Sequence, residues 1–305
     1  MQKLKYTENL IINLIIVSII PFLILGPFFP DLIVSFSSLF FLYNIFKDKN
    51  FFYIFNKPIL IFLIFCSYCI LNSIFIANNT LLSFESSLFY FRIGIFSCFV
   101  WYLIDKDKSV LNYFYNALIL CFSALVIDGY YQYLNGENLF GFKIIGNRIS
   151  SFFGEEQILG SYLSRLFPLL FALFIIKKKK KYEIYFIGFL FILVEVLIFV
   201  SGERSAFFFL NLSTIFIIIL IKEYQKFRLV TFIIAIICVT IISINSPRLT
   251  DRMILTPAKD MGFITNTNKA VFFSPIHDGY FRTAYNMFLD KPILGHGPRM
   301  FRVLC

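Results

Sequence analysis

Ile184-Tyr185-Phe186-Ile187-Gly188-Phe189-Leu190-Phe191-Ile192-Leu193-Val194-Glu195-Val196-Leu197-Ile198-Phe199-Val200 carries a single charged residue, and Ser201-Gly202-Glu203-Arg204 then turns the chain into a second apolar run that ends at Ile221. As a helix rising about 1.5 Å per residue, each run approaches the roughly 30 Å of a bilayer's hydrocarbon core. The pattern recurs along the chain. Apolar stretches at 10–26, 30–46, 58–77, 85–104, 110–128, 159–176, 184–200, 205–221 and 229–244 predict nine spans separated by short charged breaks. Composition agrees: 59% of the 305 residues are hydrophobic, 15% are charged, and mean hydropathy is +0.79. A soluble enzyme and a disordered tail are excluded. A membrane β-barrel is disfavoured, because Ile11 to Ile20 and Ile215 to Ile221 are nearly unbroken apolar runs where a barrel strand would alternate. The fold class expected is all-α, a polytopic transmembrane helical bundle over 1–244 with an outer loop at 129–158, followed by a large outer segment at 245–305. Lys3 and Lys5 precede an apolar run as in a secretory signal, but no small-residue cleavage site follows Pro21, so the first segment is expected to stay.

A net charge of +10 suggests nucleic acid only in a soluble protein; here it reports orientation. Lys3, Lys5, Lys47, Lys49, Lys57, Lys106, Lys108, the run Lys177 to Lys181, Lys222, Lys226 and Arg228 all fall in breaks on one side, which is therefore expected to be cytoplasmic. The opposite short loops, near Pro27 and near Asn78-Asn79, carry no Lys or Arg. Arginine behaves differently. Arg228 alone is expected inside; Arg92 and Arg165 fall within spans, and Arg148, Arg204, Arg248, Arg252, Arg282, Arg299 and Arg302 lie outside or at the outer boundary. The planar guanidinium fork suits phosphate and carboxylate, so an outward Arg bias points to an anion recognised on the outer face.

Depth along each span puts Arg92, Arg165 and Glu195 in the outer half, where ionisable groups face a cavity or one another. A pairing of Glu195 with Arg92 or Arg165 and a cavity lined by Arg92, Arg165 and Arg204 are expected. In the turn Ser201-Gly202-Glu203-Arg204-Ser205-Ala206, Ser201 or Ser205 is the natural cap for the next helix. Tyr130, Tyr131 and Tyr133 read as interfacial anchors. Phe281, Ala284, Tyr285 and Phe288 share one face of a helical stretch, and Arg282 and Asn286 another. Cys66-x-x-Cys69 lies in a span and reads as packing. His277 and His296 read as solvated loop residues and stay outside the catalytic set.

Three motifs in this order resemble one family. Arg148-Ile149-Ser150-Ser151-Phe152-Phe153-Gly154-Glu155-Glu156-Gln157-Ile158-Leu159-Gly160-Ser161-Tyr162-Leu163, followed by Pro168, is similar to the loop-to-helix segment of bacterial O-antigen ligases and polymerases. Ser201-Gly202-Glu203-Arg204 resembles their Ser-Gly-x-Arg turn. Tyr280-Phe281-Arg282 through Pro292-Ile293-Leu294-Gly295-His296-Gly297-Pro298 is similar to their large periplasmic loop. The resemblance covers 140–305; residues 1–139 match only as spans.

It implies a multi-pass protein of the bacterial inner membrane, N-terminus cytoplasmic and 245–305 periplasmic. The implied activity moves a glycan from undecaprenyl diphosphate to lipid A core sugar or to another lipid-linked repeat unit. The implied partners are these two lipid-linked substrates and membrane lipid, with no metal, cofactor or nucleic acid. Arg204 and Arg282 are the implied catalytic pair on the diphosphate, with Arg148, Arg92, Arg165 and Glu195 as substrate-binding candidates. The family's base is a His in a downstream His-Asn-x-Tyr segment, so the chain reads as truncated at Cys305, with the base beyond it. The other class considered is a transporter or flippase of lipid-linked oligosaccharide, which would show discontinuous helices and internal repeats.

Overall fold

The computed structural model describes residues 2–146, 148–177, 180–261 and 275–305. In chain order the helices are α1 (Gln2–Val17), α2 (Ile19–Leu25), α3 (Phe28–Asp48), α4 (Lys57–Phe75), α5 (Thr80–Ser87), α6 (Phe91–Lys106), α7 (Val110–Asn135), α8 (Leu159–Ile176), α9 (Lys181–Val200), α10 (Arg204–Leu220), α11 (Gln225–Asn245), α12 (Pro247–Thr250), α13 (Thr256–Asp260), α14 (Pro275–Asp290) and α15 (Phe301–Leu304). A 3-10 turn covers Ser151–Phe153, and a π-helical turn, Asp251–Leu255, joins α12 to α13. Among the described residues there is no strand, only two isolated bridges in the 137–148 loop.

Helices occupy all nine apolar stretches. Seven are long and apolar enough to cross a membrane: Phe28–Asp48, Lys57–Phe75, Thr80–Lys106, Val110–Asn135, Leu159–Ile176, Lys181–Val200 and Gln225–Asn245. The other two, Leu10–Leu25 and Arg204–Leu220, are shorter. The chain is thus all-helical, with the apolar helices of a multi-pass membrane protein.

The chain divides into two compact units. Unit 1 comprises residues 1–29 and 109–259, and its core is built around α9. That helix is apolar all round and buried on most sides, as its sequence demands. In lipid, helices associate through packing rather than water exclusion, so small residues at crossings matter. Gly188 lets α9 approach Phe227 of α11, where an added Cβ would lie 2.9 Å from the ring, and Gly129 lets α7 approach Leu197 at 2.9 Å. Phe167, Phe171, Phe174, Phe191 and Phe227 fill the space between with ring contacts of 4.8–6.5 Å.

Glu195 lies in this core, and its partner corrects the sequence reading. It pairs with Arg228, which is fully buried in the bundle, and not with Arg92 or Arg165. Arg228 also donates to Thr214 Oγ1 (2.6 Å) and Thr231 Oγ1 (3.1 Å) and lies 4.7 Å from the centre of the Phe167 ring. Aromatic faces and hydroxyls thus stand in for water around the guanidinium.

Unit 2 comprises residues 30–108 and 260–305. The stretch Thr80–Lys106 is broken at Leu88–Tyr90, between α5 and α6. Arg92 follows the break and is gripped by Asp31 through both carboxylate oxygens (2.7 Å each) and by Ser35 Oγ (3.1 Å). The expected link from Arg92 to Glu195 is therefore replaced by one to Asp31. Cys66 and Cys69 are buried thiols with no disulfide, in keeping with packing. The stretch at 281–288 is helical as expected, within α14, but Phe281, Tyr285 and Phe288 are more than half exposed.

Candidate functional site

The 136–158 connection is held by polar side chains on the last turns of α7. Gly136 adopts the left-handed conformation (φ +83°) that ends the helix. Asp128, fully buried, accepts from Ser151 Oγ (2.6 Å), Leu139 N (2.9 Å) and Asn138 Nδ2 (3.3 Å). Gln132, one turn on, accepts from the backbone N–H groups of Ser150 and Ser151 and donates to Phe142 O. Neither residue was singled out from the sequence. The signal was present, since an Asp and a Gln four apart at the end of an apolar helix share one face.

This framework delivers Arg148 to the start of α8. Its Nη2 donates to Gln157 O at 2.6 Å and lies 3.8 Å from Glu203 Oε2, while its buried Nε finds no hydrogen-bond partner among the described residues. Glu203 is the hub. Its carboxylate accepts from Gly160 N (2.6 Å), Ser161 N (3.0 Å) and Ser161 Oγ (2.7 Å), so it caps α8 from the far side of the α9–α10 turn. The expected cap on α10 is not formed: Glu203 is its N-cap residue by position, without a side-chain bond, and Ser201 Oγ donates to Ile198 O instead. Gly160 is required at this crossing. A Cβ there would meet Ser201 Oγ at 2.9 Å and the Cβ atoms of Ala206 and Glu203 at 3.1 Å.

Two further arginines close the group. Arg204 Nε donates to Arg252 O (2.7 Å), and Arg252 donates to Gly202 O (3.0 Å) and Gly146 O (3.3 Å). Arg252 sits in the π-helical turn, a local widening often found at functional positions. Burial lowers its pKa from the ordinary guanidinium value, and the charges of Arg148 and Arg204 lower it further. The guanidinium stays protonated at neutral pH. The two neighbouring guanidiniums make the local field positive, which favours an anion there.

The other anticipated residues fall elsewhere. Arg165 is exposed and lines a groove between α8 and α10 with Ser205 but not Arg204. Glu195 is in the interior with Arg228. Arg92 and Arg282 belong to unit 2, where Arg282, its side chain 78% exposed, pairs with Asp278 one turn before it (2.7 Å). The turn after α14 is seated within unit 2: Tyr68 Oη donates to Leu294 O (2.6 Å), and Gly297 (φ +99°) packs on Ala77, Asn72 and Ser83. His296 is not solvated as expected. Its Nε2 lies 3.2 Å from Asp290 Oδ2 and 3.1 Å from Met287 O.

Arg148 and Arg204 are therefore brought together, and Arg252 and Glu203 join them. Among comparisons with known proteins, the chain matches no protein-family model, no curated protein and no solved structure.

Proposed function

We propose that the chain is a membrane glycan-transfer protein of the O-antigen ligase or polymerase type, with Arg148, Arg204 and Arg252 as the clamp for the diphosphate of an undecaprenyl-linked donor. One observation carries this reading: three guanidiniums from separate segments converge at the helix turn whose sequence resembles that family's, with the Glu203 carboxylate 3.8 Å from Arg148. In the transfer, the bond from the sugar's anomeric carbon to the diphosphate breaks and the acceptor hydroxyl oxygen takes its place, losing its proton. Charge grows on the departing diphosphate, and fixed guanidiniums stabilise that growth without reorganising. Nine spans in the bacterial inner membrane, with the Lys-rich breaks cytoplasmic and this cluster periplasmic, complete the proposal. Arg282 as second catalytic arginine rests on the resemblance alone.

The test measures transfer from a lipid-linked donor in membrane vesicles together with binding of undecaprenyl diphosphate to the purified protein. Arg204→Lys and Arg252→Lys keep charge and lose the fork. Both are expected to lose transfer and weaken diphosphate binding while inserting normally; wild-type binding by both would refute the clamp.

Transport of a lipid-linked oligosaccharide has one observation in its favour, the break at Leu88–Tyr90 with Arg92 and Asp31 beside it, since transporters use discontinuous helices at binding sites. Movement of labelled donor across proteoliposomes without transfer to acceptor would select that reading.

A further inference from the structure

Arg165 stands apart from the clamp. It lies six residues into α8, about 9 Å of helix rise from Leu159. It is exposed and forms no ion pair or hydrogen bond with any described residue. The groove it lines, about 510 Å³ in volume, runs between α8 and α10. Ser161, Ser164 and Ser205 line the groove near the helix starts, and Pro168, Leu212 and Phe216 line it deeper. Phe209 and Phe216, on the same wall, are 60% and 53% exposed. Ser161 donates its hydroxyl to Glu203, so the Glu203 carboxylate stands between this groove and Arg148.

A guanidinium at this depth on a lipid-exposed helix face is costly unless its long stem carries the head toward the interface or an anion meets it. From six residues in, a stem extended toward the start of α8 carries the head toward the interface. A polar upper end and an apolar lower end fit an amphiphile lying parallel to the helices. Charge decides which kind, because the groove offers a cation, the exposed Ser205 hydroxyl and, among the described residues, no lining carboxylate.

We propose that the α8/α10 groove binds an anionic glycerophospholipid, its phosphate on Arg165 beside the exposed Ser205 hydroxyl and one acyl chain along Pro168, Leu212 and Phe216. The site rests on the membrane-spanning reading of the helices and is independent of glycan transfer.

The test is native mass spectrometry of the full chain in detergent, titrated with dioleoyl phosphatidylglycerol or dioleoyl phosphatidylcholine. Wild type is expected to retain phosphatidylglycerol roughly tenfold more tightly, equivalent to about 1.4 kcal/mol. Arg165→Gln should bring the two lipids near parity, Arg165→Lys should keep most of the preference, and Leu212→Trp should weaken both by filling the groove. Lipid-free unfolding in detergent confirms that the variants are folded. An undiminished preference in Arg165→Gln overturns the proposal. So does displacement of phosphatidylglycerol by inorganic phosphate alone or preferential binding of polyprenyl phosphate, and so does a lipid-free dimer that buries the groove. Release of the chain from membranes by alkaline carbonate would instead refute the membrane reading.

Discussion

Glu203→Gln tests the polar hub most directly. The wild-type carboxylate is 5% exposed, satisfies three donors on Gly160 and Ser161, and lies 3.8 Å from Arg148. An amide keeps one oxygen and turns an N–H₂ toward the others, so one buried donor at the start of α8 loses its acceptor. A buried donor left unsatisfied costs about 1–3 kcal/mol. The lost attraction to Arg148 adds a smaller amount, since that side chain is 24% exposed and partly screened. The expected loss is about 3 kcal/mol, roughly a hundredfold in the folded-to-unfolded ratio. Denaturant titration in mixed micelles, followed by intrinsic fluorescence, measures it. A second reading comes from the same samples: with the carboxylate gone, added pyrophosphate should stabilise the variant more than the wild type, because an anion can take the vacated place among the guanidiniums. A variant as stable as wild type would show that Glu203 does not cap α8, and one indifferent to pyrophosphate that it does not balance the arginines.

Gly160→Ala should destabilise by about 1–3 kcal/mol in the same titration, because the new Cβ meets backbone-proximal atoms of the Ser201–Ala206 turn at 2.9–3.1 Å. Arg228→Met should cost about 3–5 kcal/mol by leaving Glu195 buried and unpaired, while the double variant with Glu195→Leu recovers most of it; a cycle with no coupling would place the pair outside the core. Asp128→Ala frees three donors that hold the 138–151 segment and should open that loop to limited proteolysis without unfolding α7, which an unchanged cleavage pattern would contradict. Burial, and then Asp105, raise the Tyr53 phenol above its ordinary pKa, so the folded state holds that proton more tightly. Its contribution is complete below the pKa of a free tyrosine and is lost as pH climbs through the raised value; spectrophotometric titration should show a late ionisation that Asp105→Asn moves down and Tyr53→Phe removes.

The helices were legible because apolar runs near span length leave little else for the backbone to do in lipid, and every run yielded a helix. Pairing was not legible, and Glu195 shows why. Its partner was sought by counting residues inward from helix ends, as if all helices began at one level. Gly188, well inside α9, packs against Phe227 and Thr231 near the start of α11. The start of α11 therefore lies alongside the interior of α9, and Arg228 enters the core although it is the fourth residue of its helix. Glu203 escaped for a different reason. The turn invited a local cap on α10, whereas its carboxylate serves α8, more than forty residues earlier. Sequence spacing carries no trace of a cap supplied from another segment.

What each arginine touches separates the structural from the anion-binding ones better than its depth does. Arg92 meets both oxygens of Asp31, Arg228 meets Glu195, and Arg282 meets Asp278; in each the positive charge is answered by a carboxylate of its own. Arg252 is held otherwise, by the carbonyl oxygens of Gly202 and Gly146, and Arg148 by that of Gln157. A carbonyl orients a guanidinium without neutralising it. Glu203, 3.8 Å from Arg148, is already engaged by the N-terminus of α8. At Arg252 the neighbouring charges that shift the proton are both cations, Arg148 and Arg204, so the field there is positive. Charges oriented by neutral groups and crowded by like charges are what the proposed clamp requires. The proposed clamp therefore belongs to this cluster, whereas Arg92, held by Asp31, fastens the chain beside the helix break.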